Sequence, residues 1–208
     1  MSSSDDTFRT IEDPVRAETK VMGSRFIAEA FPIVDEVEAE SRIELVRRRE
    51  YSATHHCTAF RFGVDGSIFR SNDDGEPSGT AGQPILRQID ARDLTNTLVV
   101  VTRYFGGTKL GTGGLIRAYG DAAATALDSA KIVRHVITVP VHVSFEYEDT
   151  SPAMHTIDRF HAEVVASRYS ERTDLEVSVR RNEVENFIQA FVEALGGRGS
   201  IERGRLTS

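Results

Sequence analysis

The chain has a single cysteine, Cys57, and no long apolar run. One thiol excludes an intrachain disulfide, and the polar start MSSSDDTFRT lacks the apolar segment that a secretory signal needs. No segment approaches the roughly 18 to 20 apolar residues that cross a bilayer, and no basic amphipathic stretch suggests attachment to a membrane surface. We therefore expect a cytoplasmic protein without a membrane partner.

Recognisable catalytic signatures are also missing. The sequence has no G-x-S-x-G, H-E-x-x-H or protein-kinase motif, so no nucleophile with an identifiable base stands out. The glycines around Lys109 do not form a Walker A motif, because Leu110 stands where Ser or Thr is required, and they do not form the dinucleotide fingerprint. The sequence therefore argues against an enzyme, and we expect neither catalytic residues nor a cofactor.

The overall charge limits what the surface can bind. The 208 residues include 32 acidic and 25 basic side chains, which gives a formal charge of −7. Such a charge argues against coating of nucleic acid by the whole surface, but it permits a local cationic site. With 39% hydrophobic residues, the chain can bury one large core or two small ones.

One stretch has that local cationic character. Residues 103–117, RYFGGTKLGTGGLIR, contain five glycines and three cations and no carboxylate. The apolar spacing of Leu115–Leu127 predicts a helix, so the glycines end at a helix N-terminus, whose unpaired N–H groups favour an anion such as phosphate. Alternatively, the glycines serve packing alone, and Arg103 and Arg117 form internal ion pairs.

We expect this stretch to contact phosphates and bases. Arg103, Lys109 and Arg117 would supply positive charge. Either Tyr104 or Phe105 would stack on a base, unless these rings belong to the core. Phosphate oxygens would contact the backbone amides of the glycines, with Thr112 beside them: Gly106, Gly107, Gly111, Gly113 and Gly114.

A second stretch, residues 71–84 (SNDDGEPSGTAGQP), has no apolar run and is predicted to be a long loop. Its carboxylates, Asp73, Asp74 and Glu76, are oxygen ligands of the type that Mg²⁺ or Ca²⁺ prefers, or a set for acid–base chemistry. The spacing fits no EF-hand. Two other interpretations stay open: the carboxylates form a solvated turn, or they dock against arginines of the 103–117 stretch and fix both stretches into one surface.

The tripeptide His55-His56-Cys57 suggests a metal cluster only at first sight. In a strand, His55 and Cys57 point to one face and His56 points to the other, and no second pair with ligand spacing occurs in the sequence. No metal site is predicted. The two histidines are expected to contribute to the binding surface beside the loops, or else to be packed, and Ser78 and Thr80 add hydroxyls there.

The pattern along the chain predicts an α+β protein with two domains. Residues 1–14 are polar and unpatterned and are expected to form a disordered tail. Residues 15–130 combine helices with strand-like runs, including a helix capped by Asp35 and a strand covered on both faces, TLVVVT. Residues 131–208 follow a β-α-β-β-α-β order, the pattern of ferredoxin-like domains.

Four blocks of the sequence resemble the IMPACT/YigZ family. They are SRFIAEA at 24–30, HHCTAF at 55–60, SNDDGEPSGTAGQPIL at 71–86 and VVVTRYFGGTKLGTGGLIRAYGDAA at 99–123. The combination of DDGEPxGTAG with the glycine-rich block that follows it is highly specific. Residues 131–208 match the bacterial layout of the family more by pattern than by motif.

The resemblance implies a fold and a broad function. Residues 15–130 would form the N-terminal type of IMPACT domain, a two-layer α/β sandwich shared with the second domain of a small-subunit ribosomal protein and with elongation factor G. The second domain would resemble the ferredoxin-like fifth domain of elongation factor G. Eukaryotic relatives regulate translation and associate with ribosomes, so the family implies a role linked to RNA or to the ribosome.

Taken together, these features predict a regulator of translation that binds RNA or the ribosome through the two loops. A protein partner in the translation machinery is a further expectation. Two alternatives stay open. One is an enzyme or binding protein for a small phosphorylated or carboxylated ligand, with or without a metal at the acidic loop, and the other is a protein adaptor without an anion site.

Overall fold

The structure is a computed structural model that describes residues 6–204. These residues divide into two compact units, Phe8–His135 and a second unit made of residues 136–204 with residues 6 and 7. In chain order the helices and strands are β1 (Thr7–Ile11), β2 (Val15–Val21), β3 (Ser24–Pro32), α1 (Glu36–Arg49), β4 (His55–Phe62), β5 (Ile68–Asn72), α2 (Gly82–Ala91), β6 (Thr97–Tyr104), α3 (Gly111–Asp128), β7 (Ile132–Val136), β8 (Thr138–Phe145), α4 (Thr150–Arg159), β9 (Glu163–Tyr169), β10 (Thr173–Arg180), α5 (Val184–Ala194) and β11 (Ser200–Arg203).

The first unit is built on a five-stranded sheet with the strand order β2-β3-β6-β4-β5. Every neighbouring pair in this sheet is antiparallel. The central strand β6 carries the TLVVVT run, and the residues Thr97–Arg103 are all buried. This confirms the prediction of a strand covered on both faces.

Both faces of the sheet are covered by helices. On one face, Cys57 and Val101 pack with α2 and α3 in the larger core. On the other face, Phe60 and Val100 pack with Ile43 and other apolar residues of α1. The expected two-layer sandwich is thus corrected to three layers, because alternate positions of β4 and β6 are apolar on both faces and need cover on each.

Local signals in the first unit act as the sequence predicts. The N–H of Glu38 donates to Oδ1 of Asp35 (2.7 Å), so Asp35 caps α1. Strands β2 and β3 are joined by a tight turn at Met22 and Gly23, where both residues have positive φ. Strands β2 and β3 are therefore a β-hairpin.

The expected disordered tail needs correction over its described part. Residues Thr7–Ile11 form β1, which pairs with β7 in a two-stranded sheet. Ile11 is buried in the larger core, and the ring of Phe8 stacks on His135 with centroids 5.3 Å apart. Because the partner strand lies more than a hundred residues away in sequence, no local pattern reveals this pairing. Residues 1–5 lie outside the described residues.

The second unit contains a four-stranded antiparallel sheet with the order β11-β8-β10-β9. Alternate residues of β8 and β10 point into a core with α4 and α5, and the largest buried rings are Phe145, Phe187 and Phe191. The observed order of elements, β-α-β-β-α-β, is the predicted one. The architecture as a whole is α+β, and no helix within residues 6–204 combines the length and apolar character of a membrane span.

Candidate functional site

The acidic loop, residues 73–81, connects β5 to α2. It is shorter than the expected 71–84 loop, because β5 continues to Asn72 and α2 already begins at Gly82. A side chain on Gly82 would lie 2.7 Å from the backbone nitrogen of Asn72, so the two ends of the loop approach each other closely. The loop is therefore held at both ends by the fold.

Asp73 occupies the N-terminus of α2. Its Oδ1 accepts from the N–H groups of Ala81 (3.0 Å) and Gly82 (2.8 Å), and its Oδ2 accepts from the N–H of Gly79 (2.8 Å). Burial alone would raise the pKa of Asp73, but these three N–H groups stabilise the carboxylate and hold its pKa below the usual range. Asp73 thus takes the place that an external anion would have at this helix.

Asp74 links the acidic loop to α1 and to the backbone of β4. Its Oδ1 accepts from a guanidinium N–H of Arg47 on α1 (2.9 Å), and its Oδ2 accepts from the backbone N–H of His56 (2.6 Å). The backbone of Asp74 has a φ of 45°, a left-handed conformation that the N–H bond to Asn72 Oδ1 (2.8 Å) supports. This carboxylate is a structural link between the loop, α1 and β4.

Glu76 joins the acidic loop to β6. Its Oε1 accepts from the guanidinium of Arg103 (2.5 Å) and from the hydroxyl of Tyr119 on α3 (2.7 Å). The side chains of Glu76 and Arg103 are only 4% and 6% exposed, so the pair is buried. Burial, together with the nearby Cys57 and Glu76, raises the pKa of Tyr119, so its hydroxyl stays protonated and donates to the carboxylate.

The histidines lie on opposite faces of β4, as the alternation predicts. Nδ1–H of His55 donates to the carbonyl oxygen of Asp74 (2.7 Å), and its Nε2 lies 3.8 Å from Oε1 of Glu76. Nε2 of His56 lies 3.2 Å from the carbonyl oxygen of Glu50, at the end of α1. Both rings therefore contact the protein itself, and His56 is buried.

The remaining side chains of this region differ in exposure. Cys57 is fully buried, and its thiol donates to the carbonyl oxygen of Asp73 (3.0 Å). Burial raises the pKa of this thiol to about 12, which keeps it protonated. The hydroxyl of Thr80 donates to the carbonyl oxygen of Pro77 (2.6 Å), whereas Ser78 is exposed.

The glycine loop, residues 105–114, runs from the end of β6 into the first turn of α3. Its beginning is fixed to β3: the N–H of Gly106 donates to Oγ of Ser24 (3.1 Å), and a side chain on Gly106 would lie 1.9 Å from the carbonyl carbon of Gly23. The backbone amide of Gly106, expected to bind phosphate, is therefore already paired. Gly106 is required because two backbones meet there.

The two aromatic candidates for stacking have different surroundings. The hydroxyl of Tyr104 donates to Oε2 of Glu50 (2.9 Å), and the guanidinium of Arg25 lies 4.3 Å from its ring centroid. Phe105 is 49% exposed, with the guanidinium of Arg103 5.6 Å from its ring centroid. Only Phe105 therefore offers a large open ring surface.

The end of the glycine loop is open. α3 begins at Gly111 without a side-chain cap and without an acidic residue in its first turn. Gly107, Gly111 and Gly113 have nothing within 4 Å of the position where a side chain would start. Because the first N–H groups of a helix have no partner within it, this terminus presents donors to solvent. The exposed residues here also include Thr112.

Two of the three predicted cations face outward at this terminus. Lys109 and Arg117 are exposed, and among residues 6–204 neither has an ion-pair or hydrogen-bond partner. Arg117 lies four residues after Gly113 and therefore on the same face of the helix as Gly113. The third cation, Arg103, is buried against Glu76.

The structure thus brings together part of the predicted site. One interpretation left open by the sequence was that carboxylates of the acidic loop dock against arginines of the 103–117 stretch. This is the case for Glu76, which pairs with Arg103, but within residues 6–204 no carboxylate pairs with Arg117. Within residues 6–204, no three His, Cys, Asp or Glu side chains are grouped closely enough to hold a metal ion. Three residues that complete the cluster, Arg47, Ser24 and Tyr119, were not predicted. Tyr119 was recognised only as part of an apolar helix face.

Comparisons with known proteins cover both units. Two family models match the chain, the Impact N-terminal domain over residues 22–127 and the domain of unknown function DUF1949 over residues 143–198. IMPACT family member YvyE of Bacillus subtilis (strain 168) is 35% identical over 201 residues, which cover 97% of this chain and 93% of that protein. IMPACT family member YigZ of Escherichia coli (strain K12) is 32% identical over 192 residues, with 91% and 93% covered. The crystal structure of a hypothetical protein aligns with a TM-score of 0.71 at 28% identity over 96% of this chain and 98% of that one.

Proposed function

Because the chain belongs to the IMPACT family, we propose that it regulates translation by binding RNA, free or within the ribosome, at the start of α3. The observation that carries this proposal is the open terminus of α3 together with Lys109 and Arg117, two cations that have no partner within residues 6–204. The partial positive charge of a helix N-terminus and two free cations together favour a phosphate group. No carboxylate of the first turn competes for them.

The phosphate contacts come from the last part of the glycine loop. Gly111, Thr112 and Gly113 present the first N–H groups of α3, and the glycines leave room for a phosphodiester backbone to approach. Gly107 is exposed beside them. Lys109 binds as a mobile charge and Arg117 as a second one, so that neighbouring phosphates are held along the helix start.

Phe105 is the residue that stacks on a base. Its ring is about half exposed, and the guanidinium of Arg103 supports it from within the protein. Stacking on an open aromatic ring is how single-stranded RNA is commonly held, since unpaired bases can leave the helix stack. The preferred RNA is therefore single-stranded. Arg103 acts as a positioning residue rather than as a phosphate ligand.

The acidic loop contacts β6, the strand from which the glycine loop leaves, through the Glu76–Arg103 pair. The loop is held against β4 by contacts of Asp74 with His55 and His56, and against β6 by Glu76, while Asp73 fixes the loop's own backbone. Ser78 is exposed on the loop. We propose that the acidic loop stiffens the glycine loop through the Glu76–Arg103 pair. In this proposal its carboxylates are engaged by contacts within the protein, so they do not compete with RNA for Lys109 and Arg117.

The fold itself is consistent with a role in translation. We propose that residues 15–130 are related to the sandwich domains of the small ribosomal subunit and elongation factor G, with α1 as an added layer. Residues 131–208 would be a ferredoxin-like domain related to the fifth domain of that factor, which the strand order β11-β8-β10-β9 supports. A protein partner in the translation machinery fits the same proposal.

The test is cosedimentation with ribosomes, and anisotropy with single-stranded RNA, over a series of salt concentrations. Lys109→Ala removes one phosphate contact, so we expect weaker binding and a log–log salt slope reduced by about 0.7 to 0.9. Lys131→Ala is the matched control, because Lys131 is exposed but follows the far end of α3 and pairs with Glu12.

Two outcomes would contradict the proposal. One is an unchanged salt slope in Lys109→Ala, which would mean that this lysine contacts no phosphate. The other is an equal loss of binding in Lys109→Ala and Lys131→Ala, which would indicate general charge attraction. Phe105→Ala should weaken single-stranded RNA binding by about 1 to 3 kcal/mol without changing the slope, since stacking releases no counterions.

A further inference from the structure

Among the described residues, the helices α4 and α5 cover one face of the sheet of the second unit and leave the other face open. Residues of β8 alternate between buried valines and outward polar residues, and the same holds for β10. The register places Glu202, His142 and Glu176 side by side on β11, β8 and β10. In the next row Asp174 lies between Ser144 and Arg168. The outward face is therefore a regular polar surface.

This face forms a groove of about 710 Å³. Three carboxylates line it, Asp174, Glu176 and Glu202, against a single guanidinium, that of Arg168. Across the described part of the chain, Asp174 and Glu202 form no ion pair, and Glu176 has only His142, at 3.8 Å. The groove thus carries negative charge that the protein leaves unbalanced.

The residues that line the groove argue against RNA, which open sheets of this kind often bind. RNA-binding sheets stack bases on aromatic rings and present cations to the phosphates. No Phe or Tyr lines this groove, and carboxylates outnumber the arginine. An anionic ligand would be repelled here, whereas an ammonium or guanidinium group would be attracted.

One rim of the groove indicates that the occupant is a peptide. Strand β9 is the edge of the sheet, all of its residues are exposed, and Ala166, Ser167 and Arg168 line the groove. An edge strand presents unpaired backbone N–H and C=O groups, which a second extended backbone can pair with. A small amine has no groups that could use this edge.

We propose that this acidic groove binds an extended, lysine- or arginine-bearing segment of a protein partner. The segment adds to the edge of β9, and its long basic side chains cross β9 toward Asp174 and Glu176 on the neighbouring strand β10. Asp174 and Glu176 are two residues apart on one strand, about 7 Å, which equals the spacing of same-side residues in an extended peptide. Alternate basic residues of the segment therefore face successive carboxylates.

The test uses the full chain and a fluorescein-labelled octapeptide of alternating lysine and threonine, followed by fluorescence anisotropy at low salt. We expect binding by the wild type and about tenfold weaker binding by the double variant Asp174→Asn with Glu176→Gln, since two charge contacts are lost. Both carboxylates are half-exposed on the outward side of β10, so the variant should keep the fold, which circular dichroism checks.

A matched control removes the same charge elsewhere in the second unit. Glu148→Gln with Glu171→Gln changes two exposed carboxylates outside the groove, so the peptide affinity should stay within about twofold. Equal weakening by both double variants would overturn the proposal, as would absence of binding by the wild type. The peptide should also be resistant to competition by spermidine at equal concentration, and displacement would overturn the peptide assignment.

The role of the β9 edge can be separated from that of the charges. An octapeptide with the same side chains but N-methylated at alternate residues cannot pair along a strand edge, so it should bind severalfold more weakly. Equal affinity of the two peptides would refute the edge contact. Lys109→Ala should leave peptide binding unchanged, so that this test is independent of the RNA site.

Discussion

The acidic loop and the glycine loop both lead into helices, yet they use the helix start in opposite ways. At α2, Asp73 fills the terminus with the protein's own carboxylate. At α3, in the described part of the chain, no side chain caps the terminus and the cations Lys109 and Arg117 have no partner. The comparison teaches that a glycine-rich helix start is available to an external anion only where the chain has not supplied its own carboxylate.

The largest expected effect concerns the ion pair that joins the two loops. Arg103→Met leaves the carboxylate of Glu76 buried without a cation, and we expect the free energy of unfolding to fall by roughly 3 to 5 kcal/mol. Urea denaturation measures this. The double variant Glu76→Gln with Arg103→Met removes the stranded charge, so it should regain part of the loss. A loss below about 1 kcal/mol in the single variant would contradict a buried pair.

A smaller effect is expected at the filled helix start. Asp73→Asn turns an amide NH₂ toward N–H groups that both carboxylate oxygens now accept from, so it should cost about 1 to 2 kcal/mol of stability at neutral pH. Because the folded pKa of Asp73 lies below its usual range, its contribution is complete above the ordinary carboxyl pKa of about 4 and is lost as pH falls through the lower folded value.

The measurement is urea denaturation of wild type and variant from pH 7 to pH 3. The stability difference between them should be constant in the upper part of this range and shrink toward its acidic end. A difference that grows with acidity would show that the carboxylate of Asp73 is not stabilised in the fold. Asp35→Asn is a useful comparison, since Asn caps a helix about as well as Asp.

The smallest effect on stability is expected at the open start of α3, where a substitution should raise the free energy of unfolding instead of lowering it. Gly113 has a helical backbone and open space around it, so Gly113→Ala should stabilise the protein by about 0.5 to 1 kcal/mol. The same methyl group obstructs the approach of a phosphate, so RNA binding should weaken severalfold. Thermal denaturation and RNA anisotropy measure the two effects.

Gly106→Ala is the matched control within the same loop. Its methyl group would overlap the backbone of Gly23, so this variant should be destabilised, by about 1 to 3 kcal/mol. Stabilisation by both alanines would mean that the loop is not held against β3. Destabilisation by both would mean that Gly113 also serves packing, which would weaken the case for a phosphate site.

The sequence predicted the elements whose signals are local. The cap at Asp35, the buried TLVVVT strand and the alternation from Val139 to Phe145 could be read from short windows, because burial and capping leave periodic patterns. The pairing of β1 with β7 could not, because nothing near Thr7–Ile11 indicates a partner so distant. The two-layer expectation came from the family resemblance and not from the residues, whereas the buried TLVVVT run already indicates cover on both faces, which α1 supplies on one of them.

The candidate site shows the same limit. The glycines and cations were found because residue types alone identify them, but their availability depends on contacts. Arg103 and Lys109 are both cations of the same stretch, and the sequence does not distinguish them. The structure does, because Arg103 is buried against Glu76 whereas Lys109 is exposed. Tyr104 and Phe105 are neighbours, yet Glu50 and Arg25 engage only the tyrosine. Partners of this kind come from other elements, so no local pattern encodes them.

The buried thiol of Cys57 makes the acidic loop observable in solution. Its sulfur lies beneath the carbonyl oxygen of Asp73 and is fully shielded, so a thiol reagent reaches it only when the structure opens around the loop. As the chain has one cysteine, each labelling event reports one place. The natural protein thus contains its own probe for native-state opening, from which the local opening free energy can be read without any added label site.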